Sequence, residues 1–353
     1  MSHTYAAPGP VGAHPVSREF DDTIWPDLAE PEVITVTAHP GGTGLRAALS
    51  GLSSAGPPRI IEIVDSMTHR LNLANVDDIV NEDGPTLALA RPYWIRARTG
   101  QRPVIELRQP LRMRATDPTD AGLNRALDIR IEGAVLTRRN APAAEAIVTR
   151  AAVNRLHFEG ATLDPAGHRT LDGSADGARA AHQPALALDP DLGFADPAAL
   201  EAFEELPEVT LNRCVSGPIA MGPRYRLHLT DSIVDGDNLA IGSTAPAPAY
   251  GPILAIDGVT VFGRVRVRSA TGQGGVFRDR LRVRDHQTGC LSFCRFSGDD
   301  DRLPPHFACV FGPTAQAAFT STLHRQPGYG QLQRIRTSRE VLEDCLLYTS
   351  PSP

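Results

Sequence analysis

Ile131-Glu-Gly-Ala-Val-Leu136 and Phe158-Glu-Gly-Ala-Thr-Leu163 repeat one pattern of residues, and this pattern decides the fold predicted for the chain. In both segments a large apolar residue is followed by a polar residue, a turn former, a small residue, any residue and a second apolar residue. The same template fits residues 211–215, 229–234 and 256–261. Its first residues are 27, 53, 18 and 27 positions apart, and 53 is close to two units. A period of about 20 to 27 residues with one strand, bend and strand per unit is typical of a solenoid.

The repeat predicts a parallel β-helix rather than a leucine-rich repeat, because the Leu/Asn ladder of the latter is missing. Equivalent apolar positions would face inward and stack about 4.8 Å apart between coils. Gly133, Gly160 and Gly258 stand at the bend, where a left-handed backbone costs least for glycine, and Asp231 takes the same place. The next position is small, as a narrow internal corner requires. It holds Ala134, Ala161, Cys214, Ser232 and Val259.

Short stretches of alternating apolar and polar residues extend this pattern toward the N-terminus and indicate half-buried strands. They are residues 33–36, 59–63, 86–89, 94–98, 111–114 and 127–131. Helical signals are few: residues 44–52 are predicted as a short helix, and residues 196–206 as a second, with Asp196 as N-cap and Pro197 in its first turn. We therefore expect an all-β protein, a parallel β-helix with a polar insertion and few short helices.

The repeat also sets the expected domain boundaries. Residues 1–32 are a flexible N-terminal extension, residues 33–325 the β-helix, residues 164–207 a loop and helix insertion within it, and residues 326–344 the start of a C-terminal region. Residues 345–353 match, codon by codon, a reading frame of a transposase adapter used in DNA library preparation. We interpret them as a sequencing artefact and expect the natural protein to continue past Asp344.

The N-terminus has no basic segment followed by an apolar run, as a secretory signal would, and no run approaches the ~18 apolar residues of a membrane span. We therefore expect synthesis in the cytoplasm without a signal peptide and without a membrane span. All 35 basic residues are Arg, which rules out a Schiff-base lysine, a P-loop lysine and a protein-kinase lysine. The formal net charge of −6 argues against a nucleic-acid partner.

The cysteines indicate neither a metal site nor a cofactor. With residue 345 set aside, four remain, namely Cys214, Cys290, Cys294 and Cys309. They lack the His or Cys spacing of a metal site, so we expect no metal and no cofactor. Cys214 falls in the row of small corner residues, and we interpret it as core packing.

Two arginine-rich segments are the clearest candidates for ligand binding. In Arg264-Val-Arg-Val-Arg268 and Arg280-Leu-Arg-Val-Arg284, alternation sends the apolar residues to one face and the arginines to the other. The segments are 16 residues apart, a spacing that fits a short coil and would place Arg266 over Arg282. The candidate ligand-binding residues are Arg264, Arg266, Arg268, Arg280, Arg282 and Arg284.

Two interpretations of this arginine strip remain open. It would bind an acidic polysaccharide, a phosphate or an acidic partner surface, because guanidinium groups match carboxylate and phosphate geometry. Alternatively, it is a solvated sheet face that Asp279 and Asp285 partly neutralise.

Paired carboxylates are the candidates for catalysis. Glu132 and Glu159 hold the same template position one coil apart, and Asp257 follows in that row. Two carboxylates about 5 Å apart would suit a retaining glycosidase, whereas a glutamate beside a bend glycine is ordinarily just solvated. Asp299 and Asp300 are further candidates. They belong to an acidic run typical of a loop tip, and the run lacks the additional oxygen ligands of a Ca²⁺ loop.

From residue 257 onward, five segments carry a resemblance to a known family. They are Asp257-Gly-Val-Thr-Val-Phe-Gly263, Gly289-Cys-Leu-Ser-Phe-Cys-Arg-Phe296, Pro304-Pro-His-Phe-Ala-Cys309, Phe319-Thr-Ser-Thr-Leu323 and Pro327-Gly-Tyr-Gly-Gln-Leu332. In this order they resemble uncharacterised bacterial right-handed parallel β-helix proteins with a pectin-lyase-like fold, over about residues 59–332. The resemblance implies a right-handed β-helix. It also implies a component that is encoded near the genes of a phage-tail-like contractile injection system. It implies no catalytic residues.

The wider pectin-lyase-like superfamily contains polysaccharide lyases and hydrolases, but this sequence departs from their patterns. It lacks an Arg-x-Lys pair and the ordered Asn-x-Asp, Asp-Asp and Gly-His-Gly series of polygalacturonases. We therefore predict a non-enzymatic structural or surface-binding β-helix module, part of a phage-tail-like particle, whose partners are an acidic polysaccharide or other particle proteins. The alternative is a carbohydrate-active enzyme, a polysaccharide lyase or glycoside hydrolase, that acts on an acidic polysaccharide.

Overall fold

The computed structural model describes residues 30–81, 84–138, 145–166, 183–189, 207–324, 326 and 328–343. Within these residues strands dominate and nearly all of them pair in parallel. Helices are short. They are α1 (Leu45–Leu49), a 3-10 turn (Leu73–Asn75), α2 (Ala121–Ala126) and α3 (Arg339–Glu343). The prediction of an all-β chain with few short helices is confirmed, and α1 lies within the predicted residues 44–52. The predicted helix at residues 196–206 lies outside the described residues.

Most strands belong to three parallel ladders, called A, B and C here. Ladder A contains β1 (Glu32–Val36), β2 (Arg59–Ile63), β6 (Tyr93–Ala97), β9 (Asp128–Glu132), β12 (Arg155–Glu159), β15 (Glu208–Asn212), β18 (Arg226–Thr230) and the first part of β20 (Gly251–Phe277). Ladder B contains β3 (Thr68–Leu71), β7 (Val104–Leu107), β10 (Val135–Thr137), β13 (Thr162–Leu163), β16 (Val215–Ser216), the start of β19 (Ile233–Gly242) and the middle of β20.

Ladder C contains β5 (Pro85–Leu89), β8 (Leu111–Ala115), β11 (Val148–Ala152), β14 (Leu186–Leu188), β17 (Ile219–Met221), the end of β19, a later part of β20 and β21 (Leu281–Val283). Strand β4 (Ile79–Asn81) pairs antiparallel with β5. Four two-residue strands, β22 (Leu291–Ser292), β23 (Arg295–Phe296), β24 (His306–Phe307) and β25 (Val310–Phe311), continue the parallel pairing beyond β20.

The predicted alignment of the template copies is confirmed by the pairing within ladder A. The first apolar residue of each copy is the register partner of the next, in the order Ile131, Phe158, Leu211, Leu229 and Ile256. These side chains are at most 5 % exposed and form part of one continuous core. Parallel stacking of identical positions buries each apolar row against itself, so the repeat in the sequence fixes the register.

In each template copy, the bend from ladder A to ladder B contains a residue with positive φ. Gly133, Gly160 and Gly258 have φ of 72°, 53° and 67°, as the template predicts, and Asp231 has 45°. The same conformation occurs at the bend position of the template copy at residues 211–215 and at three bends outside the template copies. They are Arg213, Gly274, Phe293 and Ala308, with φ of 53°, 68°, 52° and 50°. A left-handed conformation costs a non-glycine residue about 1–2 kcal/mol, so the pairing on either side of the bend must offset this cost.

The residues that follow these bends form the corner row, which runs Ala134, Ala161, Cys214, Ser232, Val259, Gly275, Cys294 and Cys309. Their alignment follows from the pairing of the next residue in each strand. Cys214 is fully buried in the core, in agreement with its predicted packing role.

The predicted insertion at residues 164–207 contains a strand of ladder C. Leu186–Leu188 forms β14, which pairs with β11 on one side and β17 on the other. The sequence does not reveal this strand, because three residues are too short for an alternating pattern to be recognised.

The C-terminal residues fold back onto the ladders. Phe319 packs edge-on against Phe262 at a centroid distance of 4.9 Å. The Tyr329 hydroxyl donates a 2.8 Å hydrogen bond to the Asp235 carboxylate, 94 positions earlier. In the part of the chain that the structure describes, no helix combines the length and the apolar composition needed to cross a membrane.

Candidate anion-binding site

The two arginine-rich segments lie side by side in ladder C. Val265 pairs with Leu281, Arg266 with Arg282, and Val267 with Val283. The four apolar side chains are at most 1 % exposed and belong to the core. The arginines therefore project from the opposite face, as the alternation predicts.

Four of the six arginines are already engaged by the protein. The Arg264 Nε donates a 2.7 Å hydrogen bond to the Asn238 carbonyl. The Arg266 guanidinium lies over the Tyr250 ring, 4.6 Å from its centroid, in a cation–π contact.

Arg280 and Arg282 form an ion-pair cluster with the acidic run. Arg280 lies 3.2 Å from the Asp299 carboxylate and 3.1 Å from that of Asp300, and Arg282 is ion-paired with Asp300 as well. The third member of the run, Asp301, accepts hydrogen bonds from the Leu281 and Gly298 backbone N–H groups and from Ser297 Oγ. Two candidate sites from the sequence, the arginine strip and the acidic run, are therefore one surface cluster.

The carboxylates that neutralise the strip differ from those expected. Asp279 accepts a 3.0 Å hydrogen bond from the Gly263 N–H instead. Asp285 accepts hydrogen bonds from Thr288 Oγ1 at 2.6 Å and the Gln287 N–H at 3.1 Å. The Thr288 hydroxyl and these backbone N–H groups hold the pKa of Asp285 below its usual range, so it is ionised at neutral pH. Asp279 and Asp285 therefore accept hydrogen bonds from nearby backbone and side-chain donors. The charges of Arg280 and Arg282 are neutralised by Asp299 and Asp300 instead.

The remaining two arginines, Arg268 and Arg284, line an open groove of about 610 Å³. The groove is also lined by Pro223, Arg224, Asp285, His286 and Gln287. Backbone hydrogen bonds of 3.0 Å and 2.9 Å, from the Arg284 and Asp285 N–H groups to the Val267 and Arg268 carbonyls, fix the two strands that carry the arginines. We call this the arginine groove.

Charge in the arginine groove is positive. Three guanidinium groups, those of Arg224, Arg268 and Arg284, face one carboxylate, that of Asp285. Within the described residues, no ion pair or hydrogen bond involves these three side chains, which distinguishes them from Arg280 and Arg282. Exposed guanidinium groups on neighbouring strands repel one another unless an anion lies between them.

His286 adds a hydrogen-bond donor to the edge of the groove. The Arg302 Nη2 lies 3.1 Å from His286 Nδ1 and donates a 3.3 Å hydrogen bond to the Arg284 carbonyl. Because guanidinium groups only donate hydrogen bonds, His286 Nδ1 is the acceptor for Arg302. A neutral His286 therefore carries its hydrogen on Nε2. His286 therefore offers a further donor at the groove, one that the sequence did not identify.

The catalytic candidates Glu132 and Glu159 are register partners on β9 and β12, as the template predicts. Glu159 accepts a 2.8 Å hydrogen bond from Asn212 Nδ2 and is ion-paired with Arg213. Glu132 is only 5 % exposed, so the interpretation of a solvated corner glutamate does not apply to it. Asp257 lies further along the same row and accepts a hydrogen bond from Gln273. The carboxylate of Glu159 is therefore held by Asn212 and Arg213.

A neighbouring pair of ionisable residues escaped the sequence analysis. Asp128 Oδ1 lies 3.5 Å from His157 Nε2, and both side chains are largely buried. Burial raises the pKa of Asp128 to about 6, and it lowers the pKa of His157 to about 3 together with the positive charges of Arg130 and Arg155. Alternation at residues 127–131 predicts an outer sheet face for Asp128, and the pattern carries no information on whether that face is covered.

Metal binding finds no support in the described ranges, where no three acidic, histidine or cysteine side chains converge. Comparison with known proteins finds no match, neither among protein families nor among curated proteins or solved structures. The fold and the arginine groove thus define this protein as an all-β chain built on parallel ladders, with a positively charged surface groove.

Proposed function

We propose that the chain is a right-handed parallel β-helix module that binds an anionic surface, an acidic polysaccharide, through the arginine groove. Three features support the β-helix: from β2 to β20 the chain visits ladders A, B and C in the same order, the template copies are in register, and the bend of each template copy has positive φ. Right-handedness agrees with the strong preference of parallel crossover connections and with the sequence resemblance.

The observation that carries the binding proposal is the contrast between the arginines of ladder C. Arg280 and Arg282 have internal carboxylate partners, whereas Arg268 and Arg284 line the arginine groove and have no carboxylate partner among the described residues. Neighbouring strands are about 4.8 Å apart, which is close to the length of one sugar unit in a chain. A linear polymer with one carboxylate per sugar, laid across the strands, would place successive charges against successive guanidinium groups.

Membership of a phage-tail-like particle belongs to the same proposal and rests on the resemblance of residues 257–332. In such a particle a rigid module would present the arginine groove to a cell-surface glycan, with other particle proteins as its partners. Neighbouring genes for sheath, tube and baseplate proteins would support this placement, and sugar-transport genes would favour the enzyme described next.

A carbohydrate-active enzyme is the second candidate, and the pair Asp128 and His157 is the observation in its favour. Burial raises the pKa of the Asp128 carboxyl group to about 6, so a fraction of it is protonated near neutral pH, as a general acid requires. Against it, the Asp128 and His157 side chains are only 10 % and 18 % exposed, and Glu159 is ion-paired. We therefore favour binding. Depolymerisation of polygalacturonate by the protein, abolished in Asp128→Asn or Glu159→Gln, would establish the enzyme instead.

The binding proposal is tested by calorimetric titration of the protein with polygalacturonate. Arg268→Gln with Arg284→Gln should weaken binding at least tenfold, because each charge-assisted hydrogen bond contributes about 1.5–3 kcal/mol. Arg46→Gln with Arg70→Gln removes the same charge from exposed positions on α1 and β3 and should change the affinity little. Equal affinities for the two double variants would contradict a specific groove, and affinity that is unchanged by salt would contradict an ionic one.

A further inference from the structure

Two cysteines end the corner row. The residues that follow them, Arg295 and Val310, are register partners, so Cys294 faces Cys309 across neighbouring parallel strands. Equivalent positions in such strands are about 4.8 Å apart, which lies within the 4.4–6.8 Å range of Cα separations in disulfides. Neither cysteine forms a disulfide in this structure.

Each of the two sulfur atoms accepts a hydrogen bond from the backbone of the preceding residue in the corner row. The Gly275 N–H donates to Cys294 Sγ at 3.3 Å, and the Cys294 N–H donates to Cys309 Sγ at 3.4 Å. A Cβ atom at Gly275 would lie 3.2 Å from Cys294 Sγ, so the glycine leaves room for this sulfur. The same donor pattern recurs at Cys214, whose N–H bonds Ser232 Oγ at 3.0 Å.

The two thiols differ in access to solvent. Cys294 is fully buried, whereas Cys309 is partly exposed. The hydrogen bond from the Cys294 thiol lowers the pKa of Cys309 to about 7, with help from the Cys294 N–H and the nearby His306. Burial raises the pKa of Cys214, in the same row, to about 12. Reactivity toward oxidants follows thiolate content and exposure, so Cys309 is the reactive member.

We propose that Cys309 and Cys294 are a reactive and resolving thiol pair that a hydroperoxide converts into an intramolecular disulfide. In the first step the Cys309 thiolate attacks one peroxide oxygen, the O–O bond breaks, and Cys309 becomes a sulfenic acid while hydroxide, or an alcohol from an organic hydroperoxide, leaves. In the second step Cys294 attacks the sulfenic sulfur, the S–S bond forms, and the S–O bond breaks with release of water.

Overall, the two thiols lose two electrons and the peroxide gains them. A small-molecule thiol reverses it by exchange. This site is independent of the arginine groove, and its failure would leave the binding proposal intact.

The experiment uses the full chain in a Cys345→Ser background, treated with hydrogen peroxide and then alkylated under denaturing conditions. Trypsin cleaves after Arg295 and Arg302, so Cys294 and Cys309 fall on separate peptides, and a second Cys290→Ser background removes the other cysteine of the first peptide. We expect one disulfide-linked peptide pair, two thiols lost per chain, restoration by dithiothreitol, and an unmodified Cys214.

Cys294→Ala provides the matched variant. Alanine occupies the same row at residues 134 and 161 with no exposed surface, so the substitution suits the corner. This variant should lose the disulfide and accumulate a Cys309 sulfenic acid that a 1,3-diketone reagent traps. Persistence of both thiols at a peroxide dose that oxidises exposed Cys290 would overturn the proposal. So would a bond from Cys309 to Cys290 or to another molecule.

Discussion

Arg266 and Arg282 are register partners on neighbouring parallel strands, and each has a different partner for its charge. The Arg266 guanidinium lies over the Tyr250 ring, while Arg282 is ion-paired with Asp300. Adjacent like charges are unfavourable, so these internal contacts stabilise the centre of the arginine strip. The part of the strip left for a ligand is its far end, at Arg268 and Arg284.

Asp300→Asn should increase the affinity for polygalacturonate several-fold. Asp300 contacts both Arg280 and Arg282, so its neutralisation releases two guanidinium groups onto the same face as the groove. Asparagine tolerates the φ of 55° at this position. The measurement is calorimetric titration at fixed ionic strength, with Asp299→Asn as control. Asp299 contacts Arg280 at 3.2 Å, so its effect should be smaller. An affinity that falls in Asp300→Asn would show that Arg280 and Arg282 need this carboxylate for position.

Asp128→Asn should stabilise the protein at alkaline pH. Burial raises the pKa of Asp128 from 3.8 to about 6, so the fold favours the neutral form. Its contribution to stability is complete below pH 3.8 and is lost as the pH rises through about 6. The raised pKa corresponds to about 3 kcal/mol at pH 8, which the variant should recover in part, with little effect at pH 4.

Urea denaturation at the two pH values measures this effect. Asp117→Asn is the control, since the Thr119 side chain and backbone lower the pKa of this exposed carboxyl. The stability from Asp117 is present above its ordinary pKa and lost in acid, so its substitution should destabilise at pH 8. The same sign for both variants would contradict the assignment of a buried, destabilising charge to Asp128.

Gly272→Ala should destabilise the fold far more than Gly100→Ala. A Cβ atom at Gly272 would lie 1.9 Å from the Ile256 carbonyl oxygen, so the strand itself would have to move. At Gly100 the φ is 76° and no atom lies within 4 Å of the added carbon, so only the conformational cost of about 1–2 kcal/mol applies. Thermal and urea unfolding of the two variants give the comparison. Equal losses would mean that ladder A and the next strand are less closely packed at Ile256.

Tyr329→Phe should lower the free energy of unfolding by about 1–3 kcal/mol, because a buried hydrogen bond to the Asp235 carboxylate is lost. The ring contact with Phe262, at a centroid distance of 6.0 Å, remains. Tyr250→Phe is the control and should have little effect, since the Tyr250 ring face carries its contact with Arg266. Limited proteolysis of residues 319–332 provides a second readout. Unchanged cleavage and stability in Tyr329→Phe would show that ring packing alone holds this segment.

The strand register could be read from the sequence to a large extent. Ile131, Phe158 and Leu211 align because a parallel ladder repeats the same burial in each strand, and the template records that burial directly. The positive φ of Arg213, Phe293 and Ala308 could not be read from the sequence, because nothing in these residue types favours it. Pairing on both sides of the bend imposes that conformation, and pairing belongs to the tertiary structure.

For the candidate site, the alternation and spacing of the two arginine segments predict that they share a face and that Arg266 lies beside Arg282. Which of the arginines have no partner among the described residues depends on the tertiary structure. Asp300 reaches Arg280 and Arg282 from 20 and 18 positions away, and Arg224 joins Arg268 and Arg284 in the groove from more than 40 positions away. Alternation along a strand reports which way a side chain points, whereas the charge that it meets depends on neighbouring strands and loops.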